Sequence, residues 1–235
     1  MVDDVLVVGH GNFANAILSD LMPLEKGDSG LELSVIPWDE RHDAEIEYDS
    51  CSIVHVGSGR QLVDAISYCQ EHGLPLIQGS TDVDEDILPS DPSFVLIDAP
   101  NLAIPIVKFL YLLNRGKTLF RGFDIRILES HQHTKQQLAG TARTMANMLR
   151  VDREKVTQVR DQTIQKILLG VPESALEGHA IHRIQIEGYG ATIGFTSEVF
   201  GREAYLYGIL AVLSSVSKLK HGSYLVTDLV EKGYI

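Results

Sequence analysis

The chain has 235 residues, 44% of them hydrophobic, with 20 basic against 32 acidic side chains and a formal net charge of −12. That length and apolar content allow one large domain or two small ones with real cores and argue against disorder. The acidity argues against a general nucleic-acid binder. The charge is uneven: residues 1–102 hold Lys26, Arg41 and Arg60 against 20 acids, whereas residues 103–160 hold eleven bases against four acids. A basic middle in an acidic chain points to a local anion site, or to ordinary drift in surface charge between domains.

Residues 5–8 form an apolar run that stops at Gly9-His10-Gly11-Asn12-Phe13-Ala14. Apolar residues then recur at Ala14, Ile17, Leu18 and Leu21, the spacing of a helix. Residues 31–36 read as a second strand closed by Pro37-Trp38-Asp39, and 53–56 as a third ending in Gly57-Ser58-Gly59. Leu62, Val63, Ile66 and Cys69 give the next helix face. Residues 75–77 and 94–97 read as further strands, running into Gly79-Ser80-Thr81 and Ala99-Pro100-Asn101. This alternation predicts an α/β fold with a Rossmann-like, doubly wound parallel sheet, whose ligand lies beyond the carboxyl ends of the strands. Small and polar residues there let a ligand approach the backbone, although turns favour them in any case.

From about residue 103 the pattern changes. Residues 104–113 read as an apolar helix, 124–128 as a strand, and 141–149 as a helix with Met145, Met148 and Leu149 on one face. Residues 181–187 alternate, and Gly188-Tyr189-Gly190 turns them into a partner strand over 191–196. Residues 203–219 read as a final helix. The prediction is a mixed α+β second domain with an antiparallel sheet.

Cys51 and Cys69 form no CxxC, which suits a reduced, cytoplasmic protein. The start, Met1-Val2-Asp3-Asp4, lacks the basic region of a signal peptide, and the apolar stretch 204–213 is shorter than a membrane span, so no membrane partner is expected.

Two segments carry chemistry. Gly9-His10-Gly11-Asn12-Phe13-Ala14 fits GxGxxA between a strand and a helix, the context of a dinucleotide turn. Asp39, at the end of the second strand, is the expected ribose acceptor and favours NAD; Arg41 could accept a 2′-phosphate, which leaves NADP open. The other segment is Glu129-Ser130-His131-Gln132-His133-Thr134-Lys135 followed by Gly140-Thr141-Ala142. His donates a proton near neutral pH, Lys neutralises developing negative charge, and Gly140 and Thr141 offer backbone N–H groups to a carboxylate. The bland alternative is a solvated loop with Thr141 as a plain N-cap. His131 and His133 lack a third ligand, so no metal is expected.

In these segments the chain resembles the dihydrodipicolinate reductase family. Gln78-Gly79-Ser80-Thr81 is similar to its Gly-Thr-Thr segment, and Ala99-Pro100-Asn101-Leu102-Ala103 to its Ala-x-Asn-x-Ser stretch. The segment from Glu129 to Lys135 resembles its Glu-x-His-His-x-x-Lys signature, and Gly140-Thr141-Ala142 its Gly-Thr-Ala. The departures are Ala14 for the third glycine of the turn, His55-Val56-Gly57 for Asp-Phe-Thr, Gln132 for the second His, and Gln136-Gln137-Leu138-Ala139 for Asp-Ala-Pro-Ser.

The resemblance implies NADH or NADPH as hydride donor, bound by Gly9, Gly11, Asn12, Phe13, Asp39, Gly57, Gly79, Thr81 and Asn101. It implies reduction of a cyclic, dianionic substrate, dihydrodipicolinate (4-hydroxy-tetrahydrodipicolinate), to tetrahydrodipicolinate in lysine and diaminopimelate synthesis. His131 matches the proton donor and Lys135 the residue that binds substrate and stabilises charge; Gln132, His133, Gly140 and Thr141 complete the substrate contacts. It also implies that residues 203–235 return to a nucleotide domain formed by 1–102, that 103–202 form a substrate and oligomerisation domain, and that the protein is a homotetramer. Two alternatives stand beside it: a reductase of this fold for another small anionic imine or keto acid, and a non-catalytic NAD(P)-binding relative.

Overall fold

A computed structural model of the chain describes residues 2–28, 32–42, 44–81 and 83–235. Met1 at the acidic start and Leu31 in the expected second strand lie outside the described residues. In chain order the elements are β1 (Val2–Val8), α1 (Asn12–Asp28), β2 (Glu32–Pro37), β3 (Cys51–His55), α2 (Leu62–His72), β4 (Leu76–Gln78), β5 (Val95–Asp98) and α3 (Ile104–Gly116). There follow β6 (Asp124–His131), α4 (Gly140–Leu149), β7 (Thr157–Val159), α5 (Gln162–Leu168), β8 (His179–Gly188), β9 (Ala191–Phe200), α6 (Glu203–Val216), β10 (Gly222–Leu225) and α7 (Val226–Glu231). The chain divides into two compact units, Met1–Val107 with Glu203–Ile235, and Lys108–Arg202.

The first unit contains the expected parallel sheet, six strands in the order β10-β5-β4-β3-β1-β2. Successive strand side chains point to opposite faces, and both faces are buried. Val5 and Val7 lie on one face with Val54, Ile77 and Ile97, under Ile17 and Leu21 of α1 and Leu206 and Ile209 of α6. Leu6 and Val8 lie on the other with Ile53, Leu76 and Leu96, under Leu62, Ala65 and Cys69 of α2. Helices on both faces explain why these strands read as continuous apolar runs. The strand order reverses at β1, so the carboxyl ends of β1 and β3 flank the switch point of the sheet.

The expected final helix is a misreading at its end. α6 stops at Val216, and β10 and α7 follow it. β10 is four residues long, Gly222-Ser223-Tyr224-Leu225, and only half-buried along an edge, so it carries little hydrophobic signal.

The second unit is a mixed sheet in the order β7-β6-β8-β9, with β6 and β7 parallel and the other pairs antiparallel. Tyr189 and Gly190, at φ 50° and 77°, make the tight turn between β8 and β9. The register sets the faces. Ile125, Ile127, Glu129 and His131 of β6 stand on one face, opposite Ile186, Ile184, His182 and Ala180 of β8. That face is apolar at one end and ends in Glu129, His131 and His182 at the other. β6 therefore runs past the predicted limit at Leu128, and His131 is its last residue rather than part of a loop. The apolar alternation stops at Leu128, but the ladder with β8 continues to His131 and Ala180.

Candidate active site

In the first unit the turn after β1 brings two glycines together. A Cβ on Gly9, whose φ is +145°, would lie 3.2 Å from the carbonyl carbon of Val56 and 3.3 Å from Cα of Gly57. Only glycine fits both that backbone angle and that approach. A Cβ on Gly11 would meet nothing within 4 Å, so the turn stays open there. α1 begins at Asn12 with no acid in its first turn, and Asn12 itself is exposed. These features fit an anion held against backbone N–H groups and the positive end of a helix. Phe13 packs edge-on to Tyr205 of α6, 5.9 Å between ring centres.

Asp39, in the short helical turn after β2, lies beside this segment: His10 Nε2 is 3.4 Å from its Oδ2, and Gln61 Nε2 donates to its Oδ1 at 3.2 Å. Arg41 turns away onto Trp38, its guanidinium carbon 3.9 Å from the ring centre and its NH1 donating to the Trp38 carbonyl at 2.8 Å. The Gly79 N–H donates to the His55 carbonyl at 2.8 Å, Thr81 is exposed in the loop that follows, and the Asn101 side chain accepts from the Ala103 N–H at 2.9 Å.

A polar network that sequence reasoning missed braces these strand ends. His55 is fully buried, with Nδ1 3.2 Å from Gln78 Oε1 and Nε2 donating to the Arg60 carbonyl at 2.9 Å. Gln78 Oε1 accepts from the Ser80 N–H at 2.6 Å, and Ser80 Oγ accepts from the Ser58 N–H at 3.0 Å.

In the second unit the strand end of β6 gathers the chemistry. Glu129 is fully buried. His131 Nδ1 is 2.5 Å from its Oε2; Arg160 NH1 donates to the same oxygen at 3.2 Å and Arg160 NH2 to Oε1. Burial alone would raise the Glu129 carboxyl, but the hydrogen bonds and charges of His131 and Arg160 outweigh it and hold the carboxyl below its ordinary value. A carboxylate on Nδ1 fixes that nitrogen as the N–H and leaves Nε2 to exchange protons.

The His182 ring stands edge-on to His131, 5.5 Å between centres. Burial, then the charge of His131, pushes His182 down to about 4, so it is a neutral neighbour at physiological pH. On the opposite face Ser130 Oγ bonds His179 Nε2 at 2.8 Å.

The turn after β6 carries the remaining expected residues. The Lys135 N–H closes it on the Gln132 carbonyl at 3.0 Å, and the Lys135 carbonyl accepts from Arg160 Nε at 2.7 Å. His133 is exposed and engages Glu177 at 3.1 Å and Gln162 at 3.3 Å instead of joining His131. α4 begins at Gly140, and Ala139 before it supplies no side-chain acceptor. Thr141 therefore lies inside the first turn and is not the N-cap. Among the described residues no group of three or more His, Cys, Asp or Glu is placed to hold a metal ion. Arg160 and Gln165 were missed. The one local signal was Asp161, whose side chain caps α5 by accepting from the Ile164 N–H at 2.9 Å.

This combination of a glycine turn at the switch point of a parallel sheet with a mixed-sheet second unit defines a class, the Rossmann-like two-unit α/β proteins. Residues 106–230 match the family model described as dihydrodipicolinate reductase, C-terminus, and the chain belongs to the dihydrodipicolinate reductase family. The probable 4-hydroxy-tetrahydrodipicolinate reductase 1, chloroplastic, of Oryza sativa subsp. japonica is 29% identical over 185 residues, 71% of this chain and 54% of that protein. The 4-hydroxy-tetrahydrodipicolinate reductase of Campylobacter jejuni subsp. jejuni is 28% identical over 133 residues, 54% of this chain and 49% of that protein. The chain spans about half the length of the curated relatives it matches. Dipicolinate-bound dihydrodipicolinate reductase from Paenisporosarcina sp. TG-14 shares the fold, with a TM-score of 0.69 at 16% identity over 97% of this chain and 100% of that one.

Proposed function

We propose that the chain is an NAD(P)H-dependent reductase that converts dihydrodipicolinate (4-hydroxy-tetrahydrodipicolinate) to tetrahydrodipicolinate in lysine and diaminopimelate synthesis. One observation carries the reading. The buried carboxylate of Glu129 holds His131 Nδ1 at 2.5 Å, within the same segment that bears Lys135. His131 Nε2 gives a proton to the substrate, and Lys135 Nζ offsets negative charge. The N–H groups of Gly140 and Thr141 hold a substrate carboxylate, and Gln132 and His133 complete the contacts. The nicotinamide group, when bound, supplies the hydride.

On the first unit, the backbone of Gly9, Gly11, Asn12 and Phe13 binds the pyrophosphate, and Gly57, Gly79, Thr81 and Asn101 line the rest of the nucleotide site. Asp39 accepts from the ribose hydroxyls; with Arg41 held on Trp38, this supports NADH over NADPH. The free, buried thiols of Cys51 and Cys69 suit a reducing, cytoplasmic setting. No helix among the described residues is long and apolar enough to cross a membrane. β9 is an edge strand exposed over most of its ten residues, which supports a homotetramer that covers it.

The test is a coupled assay with freshly generated substrate, run with NADH and NADPH side by side. Nucleotide oxidation is expected, faster with NADH; no absorbance change with either would overturn the reading. A second reading, a reductase of another small anionic imine or keto acid, rests on Gln132 and on Gln136-Gln137-Leu138-Ala139, where the sequence departs from the family signature. A panel of small keto and imino dicarboxylates in the same assay separates the two.

A further inference from the structure

Arg160 lies outside the signature segment, yet its guanidinium reaches one of the two residues to which the proposed function gives chemistry directly, Lys135, and the other, His131, through Glu129. NH1 and NH2 fork onto the Glu129 carboxylate, which holds His131, while Nε donates to the Lys135 carbonyl at 2.7 Å. NH1 also bonds the Val159 carbonyl at 3.0 Å and NH2 the Gln158 side chain at 3.2 Å, so the group is anchored to β7, the strand just before it. A second brace comes from the fully buried Gln165, whose Nε2 donates to the His131 carbonyl at 2.7 Å. Packing does not demand this arrangement. The same sheet face is built of Ile125, Ile127, Ile184 and Ile186, and apolar residues commonly replace buried ion pairs without loss of stability. A forked arginine is suited to holding a carboxylate at a fixed angle.

We propose that Arg160 is a positioning residue that sets the His131 imidazole, through Glu129, and the Lys135 turn, through its carbonyl, in register with each other. The inference rests on the proposed function for the roles of His131 and Lys135. During turnover the proton leaves His131 Nε2 for the substrate, and the Nδ1 proton stays on the ring against Glu129. Arg160 itself neither gains nor loses a proton.

The test uses the full chain and two readouts. The first needs no substrate: 15N imidazole spectra of the wild type should show neutral His131 protonated on Nδ1. That preference should weaken in Glu129→Gln. A neutral wild-type His131 protonated on Nε2 overturns the proposal, whatever the activity proves to be. The second is kinetic. Arg160→Lys keeps the charge but loses the fork, and kcat should fall roughly 10- to 100-fold with nucleotide KM and nucleotide dissociation constant within about twofold of wild type. In the double variant with Glu129→Gln the two losses should be less than multiplicative, because both act through one imidazole. An Arg160→Lys protein with wild-type kcat, or one that only melts earlier at unchanged kcat, overturns the proposal. A wild type inactive on dihydrodipicolinate while His131 holds its proton on Nδ1 sinks the substrate assignment and not the role of Arg160.

Discussion

Taking a carboxylate fully out of water costs several kcal/mol unless donors replace the lost hydration. Glu129 has three such donor groups, in His131 Nδ1 and the two arms of Arg160. Replacing His131 by Gln keeps a hydrogen-bonding partner for Glu129 but removes the proton donor. kcat should drop by about 10²–10⁴-fold while nucleotide binding is retained; a variant with normal turnover rules out His131 as the donor. His182 makes a separate prediction. It is 4% exposed, and its folded pKa lies near 4, below the 6.5 of a free imidazole. The folded state therefore resists a proton that the unfolded chain accepts. The stability it contributes is complete above pH 6.5 and is lost as pH falls toward 4, by about 3 kcal/mol at 1.36 kcal/mol per unit. His179 is lowered as well, chiefly by burial, so part of the slope belongs to it. Urea unfolding of His182→Gln should show a flatter decline between pH 6.5 and 4 than wild type, and identical slopes would contradict the assignment.

At the scale of elements, α6 lies close against the segment before α3 at Gly208. A Cβ on Gly208 would stand 1.5 Å from the Leu102 carbonyl oxygen, a backbone atom with no rotamer to yield. Gly208→Ala should therefore exceed the usual cost of overpacking, about 1–3 kcal/mol, and lower the melting temperature sharply; a melting point unchanged from wild type would show that α6 shifts freely. Elements with strong periodicity were readable from residues alone: the strand over 5–8 is a continuous apolar run, and that over 53–56 is apolar but for His55, because helices cover both faces, and the Gly188-Tyr189-Gly190 turn declares its hairpin by composition. β7, α5, β10 and α7 were not. They are three to seven residues long and half-buried, edge-lying or, for α5, mostly exposed, so too few positions repeat for a period to emerge. The end of β6 was lost for another reason. Glu129 and His131 are polar, and their place in a buried strand depends on each other and on Arg160, which pairs with Glu129 from 31 residues further on. A pairing at that separation has no local trace in the sequence.

At the scale of the molecule, the first unit is assembled from both ends of the described chain, while the second is one continuous stretch, Lys108–Arg202. Residues 203–235 supply Leu206, Ile209, Leu210, Val212, Val226 and Leu229 to the core that covers Val5, Val7, Val54, Ile77 and Ile97. At about 1.5–3 kcal/mol for each fully buried aliphatic side chain, losing those six removes on the order of 10 kcal/mol. That is comparable to the whole stability of a typical domain, about 5–15 kcal/mol. β10 would go too, exposing β5 as a new edge. A chain truncated after Arg202 should therefore lose the parallel sheet and, with it, nucleotide binding, while the second unit keeps every strand of its own sheet. Hydrogen exchange of the truncated protein should show slow amides confined to β6, β8 and their neighbours. Slow exchange persisting in β1 and β3 would mean that the sheet holds without its C-terminal cover, and that the return of the chain serves something other than stability.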